Sequence, residues 1–476
     1  MKIFPERGTA ATPSGAPKAA ASDPLALLSL PTELLVAVLQ WLVPRDLARV
    51  ECAARAFHFD HPQQTQSLVE QALRQRAAKR GAMVATALPA GESTWTQILS
   101  WLDRLAASPN LHRIAGGKLH SVFIDTHGQL LTCGTAHDSF TGILGHGPSL
   151  MTLAVPTPVP SLVGVRVASI SAGSSHSLVL NEAGEVLSFG IGRFGRLGHG
   201  DEENQHTPKV VEALRGVRIV NISAGAGHSL VLTEAGEVLS FGVRRLGGLL
   251  GRGDGEHQHT PKVVEALRGM RIVNIRASLT HNLVLTEAGE VLSFGFGMDG
   301  ILGHGDEEDQ PAPKVVEALR GVRIVNISAG ATHSLVLTEA GEVLSFGVGL
   351  GGRLGHGDEE VRYAPKVVEA LRGIRIVNIS AGGSHSLVLN EAGEVLSFGS
   401  GRFGGLGHGD EEDQHTPKIV EALRGKRVNT IAAGTSLSIC VLQDGRVFDW
   451  GNWASSLGLV LAHDPLTPHE YRDLRL

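Results

Sequence analysis

Cysteine is nearly missing from this chain, with only Cys52, Cys133 and Cys440 in 476 residues, far apart and without metal-ligand spacing. A disulfide framework is thereby excluded, and a reducing compartment is favoured. No run of eighteen apolar residues occurs, which argues against a membrane-spanning helix. The opening stretch, MKIFPERGTAATPSGAPKAAASDP, lacks the apolar core of a secretion signal. Excess basic charge is also absent. Residues 1–110 carry eleven Lys/Arg against nine Asp/Glu, and the remainder 31 against 39, so the two parts stand at +2 and -8. Neither part has the footprint of a direct nucleic-acid binder. The expectation is a soluble protein of the cytoplasm and/or nucleus, with no membrane partner and no cofactor.

Glycine, by contrast, is abundant at 60 of 476 residues, well above the usual ~7%. Without a Gly-X-Y period this is not collagen, so the excess implies many turns. Residues 1–24 are rich in Ala, Pro, Ser and Gly and read as a disordered tail. Residues 25–110 read as a small all-helical region. Leu30, Leu34, Leu35, Val38, Leu39 and Leu42 share one helical face, Pro31 suits a first turn, and Pro44 ends the helix. Further helical patterns follow from Asp46, near Leu68, and after Thr94.

From residue 111 to 476 the sequence repeats itself. The segment HSLVLTEAGEVLSFG recurs with its histidine at His176, His228, His281, His333 and His385, in steps of 52, 53, 52 and 52. A divergent first copy has His120, and a divergent last copy has Leu437 in that place, making seven copies. Such a period points to a propeller. Within a copy, VRIVNISAG and HSLVLTE predict two strands, and Glu-Ala-Gly a tight hairpin with Gly236, Gly289, Gly341 and Gly393 at positive φ. EVLSFG predicts the third strand, and a glycine-rich loop leads to PKVVEAL as the fourth. Four short strands cannot bury both faces alone, so the copies must stack, and closure into a ring protects their edges. The expected fold is an all-β seven-bladed propeller behind a small all-α domain.

The recurring elements AGxxHS, EAGEVLSFG, GxLGHGD and TPKVV resemble the regulator-of-chromosome-condensation repeat family, with Phe189, Phe241, Phe294, Phe346 and Phe398 where that family usually has Trp. The resemblance implies a seven-bladed propeller with one repeat per blade. The segment LSLPTELLVAVLQWLVPRDLARVECAARAF resembles an F-box. That resemblance implies docking on a Skp-type adaptor of a cullin ubiquitin ligase through Leu30, Pro31, Leu34, Leu35 and Leu39, leaving the propeller to hold a protein substrate. The alternatives are guanine-nucleotide exchange on a Ran-type small GTPase and a plain scaffold. An ultraviolet photoreceptor, also known among such propellers, needs clustered tryptophans. Here there are five, three of them outside the repeats, which excludes it.

No catalytic residue and no metal site is expected. Histidines on neighbouring blades, ~10 Å apart, cannot share an ion that binds nitrogen at ~2.0–2.1 Å, so a structural hydrogen bond to the adjacent turn is the expected role. Ser-His-Asp in every blade is architecture, since a catalytic site occurs once. Calcium is disfavoured because the Asp-Glu-Glu spacing is not that of an EF-hand loop. The acidic loops carry the functional expectation. Asp201, Glu202, Glu203, Asp306, Glu307, Asp358, Glu359, Asp410 and Glu411 belong to HGDEE loops. In a meander these share a face with the AGxxH turns, while EAGE and LRGxR share the other. One face is then acidic and suited to a basic partner, the other balanced. The most individual copy is the third, with an extra residue in GVRRLGGLLGRGD and IRASLTHN for ISAGxxHS.

Overall fold

The computed structural model describes residues 113–136, 141–244, 248–253, 256–451 and 464–476. The helical segment expected at 25–110, with Leu30, Pro31, Leu34, Leu35 and Leu39, lies outside the described residues. Among the described residues seven four-stranded antiparallel sheets follow one another, each a meander of consecutive strands. Blade 1 holds β1 to β4 (114–158), blade 2 β5 to β8 (167–210), and blade 3 β9 to β12 (219–263). Blade 4 holds β13 to β16 (272–315), blade 5 β17 to β20 (324–367), blade 6 β21 to β24 (376–419), and blade 7 β25 to β28 (428–475). No helix among the described residues is long and apolar enough to cross a membrane.

The second strand of each blade is buried at every position, as in β10, His228–Thr233. A strand covered on both sides carries an unbroken apolar run rather than alternation, which is why HSLVLT reads as it does. The core lies between blades. Leu283, Leu285 and Val291 of blade 4 pack on Ile327, Val336 and Phe346 of blade 5, and the other junctions repeat the pattern. The recurring phenylalanines are wholly buried. Each lies on a glycine of the preceding blade's LG(H/R)G loop. At Gly303, with φ +79, a Cβ would come within 2.9 Å of the Phe346 ring. The loop motif is therefore a seat for the next blade's aromatic ring.

The hairpin glycines adopt the expected φ of +88, +87, +88 and +83. The fourth strand begins earlier than expected. It runs Gln205–Val210 in blade 2, and Glu212–Leu214 forms a 3-10 turn that buries Leu214. Proline at the fourth position of QHTPKV is tolerated because this is the outer edge strand.

Through Nε2 the recurring histidines bind the next blade, and among the described residues His281 alone also meets the adjacent turn, its Nδ1 lying 3.0 Å from Ser278 Oγ. His176 Nε2 lies 2.8 Å from Ser229 Oγ, and the series continues through His281 with Ser334, His333 with Ser386 and His385 with Ser438. His120 meets Ser177 at 2.7 Å in the same way. Ser229 donates its own proton to the Arg196 carbonyl at 2.8 Å, so its oxygen can only accept from the imidazole. The ring therefore carries its proton on Nε2.

Closure uses no borrowed strand, since each blade is one contiguous stretch of chain. At the seam, Leu437, Ile439 and Val447 of blade 7 pack on Ile114, Phe123 and Leu131 of blade 1, and the Thr435 N–H donates to Gly117 O at 3.3 Å. Leu437 replaces the histidine there, and the buried Ser121 hydroxyl has no partner among the described residues. Ser229→Ala should therefore cost about 1–3 kcal/mol by orphaning a buried N–H, whereas Ser121→Ala should cost nothing and gain up to about 1 kcal/mol. Chemical denaturation of the two variants checks this. Equal losses would mean that the seam is bonded like the other junctions.

Candidate functional site

The acidic loops sit on the expected face. In blade 2 the loop carrying Asp201, Glu202 and Glu203 follows a buried arginine, Arg196, that spans two AGxxH turns. Its guanidinium donates to Ser175 Oγ at 2.5 Å and to Ala226 O of blade 3 at 2.8 Å. Burial pulls Arg196 down to about 10, and the neighbouring Arg193 adds to this. Arg353 makes the corresponding bonds to Thr332 Oγ1 and Gly383 O.

Each acidic residue of the loop has its own task. The first aspartate braces the turn. Asp201, Asp306, Asp358 and Asp410 each accept, at 3.1 Å, the N–H of the residue two positions on. The first glutamate reaches back to the 3-10 turn ahead of the loop. Glu411 accepts the Phe403 N–H at 3.1 Å and Glu359 the Gly351 N–H at 3.2 Å. Glu202 is held below the usual carboxylate range by the Phe194 N–H and then by His259 of the next blade. Glu307 faces Tyr363 of the next blade in the same manner. The second glutamates, Glu203, Glu308, Glu360 and Glu412, are exposed.

The turns capped by these glutamates are strained. Phe194 and Phe403 sit at φ +66 and +64, where a bulky residue costs about 1 kcal/mol or more. Both are sheltered by the preceding arginine, whose guanidinium lies 4.6 Å from the ring centroid. Blades 4 and 5 have Asp299 and Gly351 at this position and expose Met298 and Leu350 beside it. The acidic face therefore also has apolar points of contact.

The opposite face is neutralised pair by pair. Arg215 meets Glu212, Arg268 meets Glu265, Arg320 meets Glu317 and Arg424 meets Glu421, all at 2.7–2.8 Å. A second row joins Arg271 to Glu287 and Arg323 to Glu339 across the hairpins, at 3.1 and 3.4 Å. Exposed pairs of this kind add little stability, but they cancel the field on that side. Among the described residues most acidic loops have no such arginine partners, Asp358 with Arg362 at 2.5 Å being a local exception.

The two departures first assigned to one copy fall in adjacent blades. GVRRLGGLLGRGD closes blade 3, while IRASLTHN spans β13 and β14 of blade 4. They interlock through Asn282, which stands where neighbours have serine. Its Oδ1 accepts from His228 at 2.6 Å, and its Nδ2 donates to Leu249 O of the altered loop at 3.0 Å. The change is thus one compensated unit. Sequence comparison missed it because the edges of the copies do not mark the edges of the blades.

Comparison with known proteins agrees with this architecture. The regulator of chromosome condensation (RCC1) repeat matches residues 127–180, 183–232, 288–337, 340–389 and 392–441, more than half of the chain. Each matched repeat runs from the third strand of one blade to the second strand of the next. One repeat per blade holds in number, but the phase is shifted by half a blade. The human E3 ubiquitin-protein ligase HERC2 is 33% identical over 75% of this chain, which spans only 7% of HERC2. The ultraviolet-B receptor UVR8 of Arabidopsis thaliana is 36% identical over 64% of this chain and 70% of its own length. Among solved structures, Prp20p of Saccharomyces cerevisiae, described for its binding properties to Gsp1p and histones, superposes with a TM-score of 0.62 at 26% identity, over 70% of this chain and 84% of its own. With repeat, blade order and loop architecture in agreement, the chain belongs to the RCC1-repeat family.

Proposed function

We propose that the acidic face of this interaction platform captures a basic protein, and that residues 25–110 couple the platform to a Skp-type adaptor of a cullin ubiquitin ligase. The observation that carries the first half is the one-sided charge. Arginine–glutamate pairs silence one face, while on the other the exposed second glutamates of the loops have no ion-pair partner among the described residues. Such a field steers a cationic partner and raises its rate of encounter. The similarity to Prp20p, described for binding histones, supports a basic partner, since histones are basic proteins. The F-box-like order around Leu30, Pro31, Leu34, Leu35 and Leu39 supports the second half, as does the similarity to ubiquitin ligases of the HERC group.

Two measurements test the halves separately. Affinity for the partner should fall as salt rises, and Glu203→Lys with Glu412→Lys should slow association at least about tenfold. An affinity indifferent to ionic strength would reject steering. The full chain should retain a Skp-type adaptor in a pull-down, and Leu34→Asp with Leu35→Asp should abolish this. A wild-type chain that retains no adaptor ends the ligase reading. Family membership supports a second reading, guanine-nucleotide exchange on a Ran-type GTPase, and a nucleotide-release assay separates the two.

A further inference from the structure

We propose that Glu359, Asp413 and His415 form a binding site for a transition-metal dication of the zinc class, clamping blades 5 and 6 together on the acidic face. One donor atom from each of the three lies within 4.8 Å of the other two. His415 Nε2 stands 3.3 Å from Glu359 Oε1. Bonds of ~2.0–2.1 Å around a tetrahedral ion place neighbouring donors roughly 3.3–3.4 Å apart, so the His415–Glu359 pair already has that spacing and the other separations must close by at most roughly 1.5 Å. An imidazole with two carboxylates suits zinc, cobalt or nickel, whereas calcium takes oxygen donors alone.

The carboxylates are oriented before any ion arrives. Asp413 Oδ1 accepts the Gly401 N–H at 2.9 Å and the Ser400 hydroxyl at 3.1 Å, which leaves Oδ2 for a ligand. Glu359 is held by the Gly351 N–H. This outer shell fixes the donors as it does in established metal sites.

The other junctions serve as internal controls. Between blades 4 and 5 the same positions hold Glu307, Val361 and Tyr363, and between blades 6 and 7 Glu411, Asp464 and Leu466, so neither has an imidazole. Between blades 2 and 3 they hold Glu202, His257 and His259. There His257 packs its ring on Phe194 with centroids 4.7 Å apart, its Nδ1 accepts the Arg244 N–H at 2.9 Å, and the three donors do not converge as they do between blades 5 and 6. Only the Glu202–His259 pair remains, at 3.1 Å. Gly351 makes the difference at blades 5 and 6. It occupies the place of Phe194, and a Cβ there would already lie 3.3 Å from Asp413 Oδ2. The missing ring leaves the three donors open to solvent, with coordination positions free for water or a partner's side chain.

The test uses the full chain, titrated with Co²⁺ by d–d absorption and with Zn²⁺ by calorimetry. One equivalent should bind in the micromolar range or tighter, and Asp413→Asn should weaken it at least about tenfold. Gly351→Phe should do the same without replacing a ligand, by lowering a ring onto the site. The propeller already accepts Phe at this backbone geometry, with φ +66 at Phe194 against +68 at Gly351, so this variant is expected to fold, as circular dichroism would verify. A wild-type chain that binds neither ion overturns the proposal. So does a binding isotherm left unchanged by both variants, which would mark the ion as adventitious to other histidines.

Discussion

Acidification from pH 7 to pH 5 should unfold the propeller in one steep transition. Six ladder histidines are buried within the ring, and burial holds them neutral. His120, His228 and His385 are pulled down to about 4 and His281 to about 3, while His176 and His333 lie well below the ordinary value. In the unfolded chain each titrates near 6.5. Between these values the unfolded state binds more protons, so stability rises with pH. It is complete above about 6.5 and is lost as pH falls towards about 4. Each histidine contributes a slope of up to about 1.4 kcal/mol per pH unit. Six together approach about 8 kcal/mol per unit, against a typical total stability of ~5–15 kcal/mol. A midpoint between about pH 5 and 6 follows, measurable by circular dichroism. The histidines of the HGD loops, such as His199 and His304, are also pulled down to about 4 by burial, but being half-exposed they add less. A melting temperature flat from pH 7 to pH 5 would sink the idea, as would ladder imidazoles that titrate near 6.5 by NMR.

Replacing Asp449 by Asn should stabilise the protein at pH 8 by about 2–4 kcal/mol, and the gain should shrink as pH falls from about 7 towards 4. Asp449 stands where blades 2 to 6 carry serine and blade 1 Thr132, and it is buried beside the seam between blades 7 and 1. Burial pushes its carboxyl up to about 7, although Tyr471, which donates to Oδ2 at 2.8 Å, opposes the rise. The nearby thiols remain neutral, Cys133 raised to about 12 and Cys440 well above the usual thiol range, both by burial. A folded value above the unfolded one means that Asp449 contributes stability fully below about pH 4. That contribution is lost as pH rises through about 7, opposite in sign to the histidines. Asparagine keeps an acceptor for Tyr471 and carries no charge. If urea denaturation showed the variant weaker at pH 8, the carboxylate would have to be compensated in the native state.

How much of this was legible beforehand depends on the range of the interaction. The meander, the hairpin glycines and the side on which Asp201 or Glu411 emerges follow from local pattern and from the parity of four strands. The partners of the histidines were not legible, because His176 and Ser229 are 53 residues apart and their contact exists only once blades stand side by side. The role of Gly351 was hidden for the same reason, since it acts by what it fails to place on Asp413 of the following blade. PKVVEAL read as a strand from its valines, yet a tertiary demand, the burial of Leu214 and its equivalents under the blade, bends EAL into a turn.

A ring whose sectors are each one uninterrupted stretch of polypeptide has a genetic consequence. Duplication or loss of about 52 codons adds or removes a whole sector with every hairpin intact. The half-blade phase of the repeat means that such an event cuts within a sheet and heals by joining two equivalent halves. Ring size is then constrained by how the wedge angle of the remaining sectors sums around the axis, and not by any need for the two ends of the gene to match.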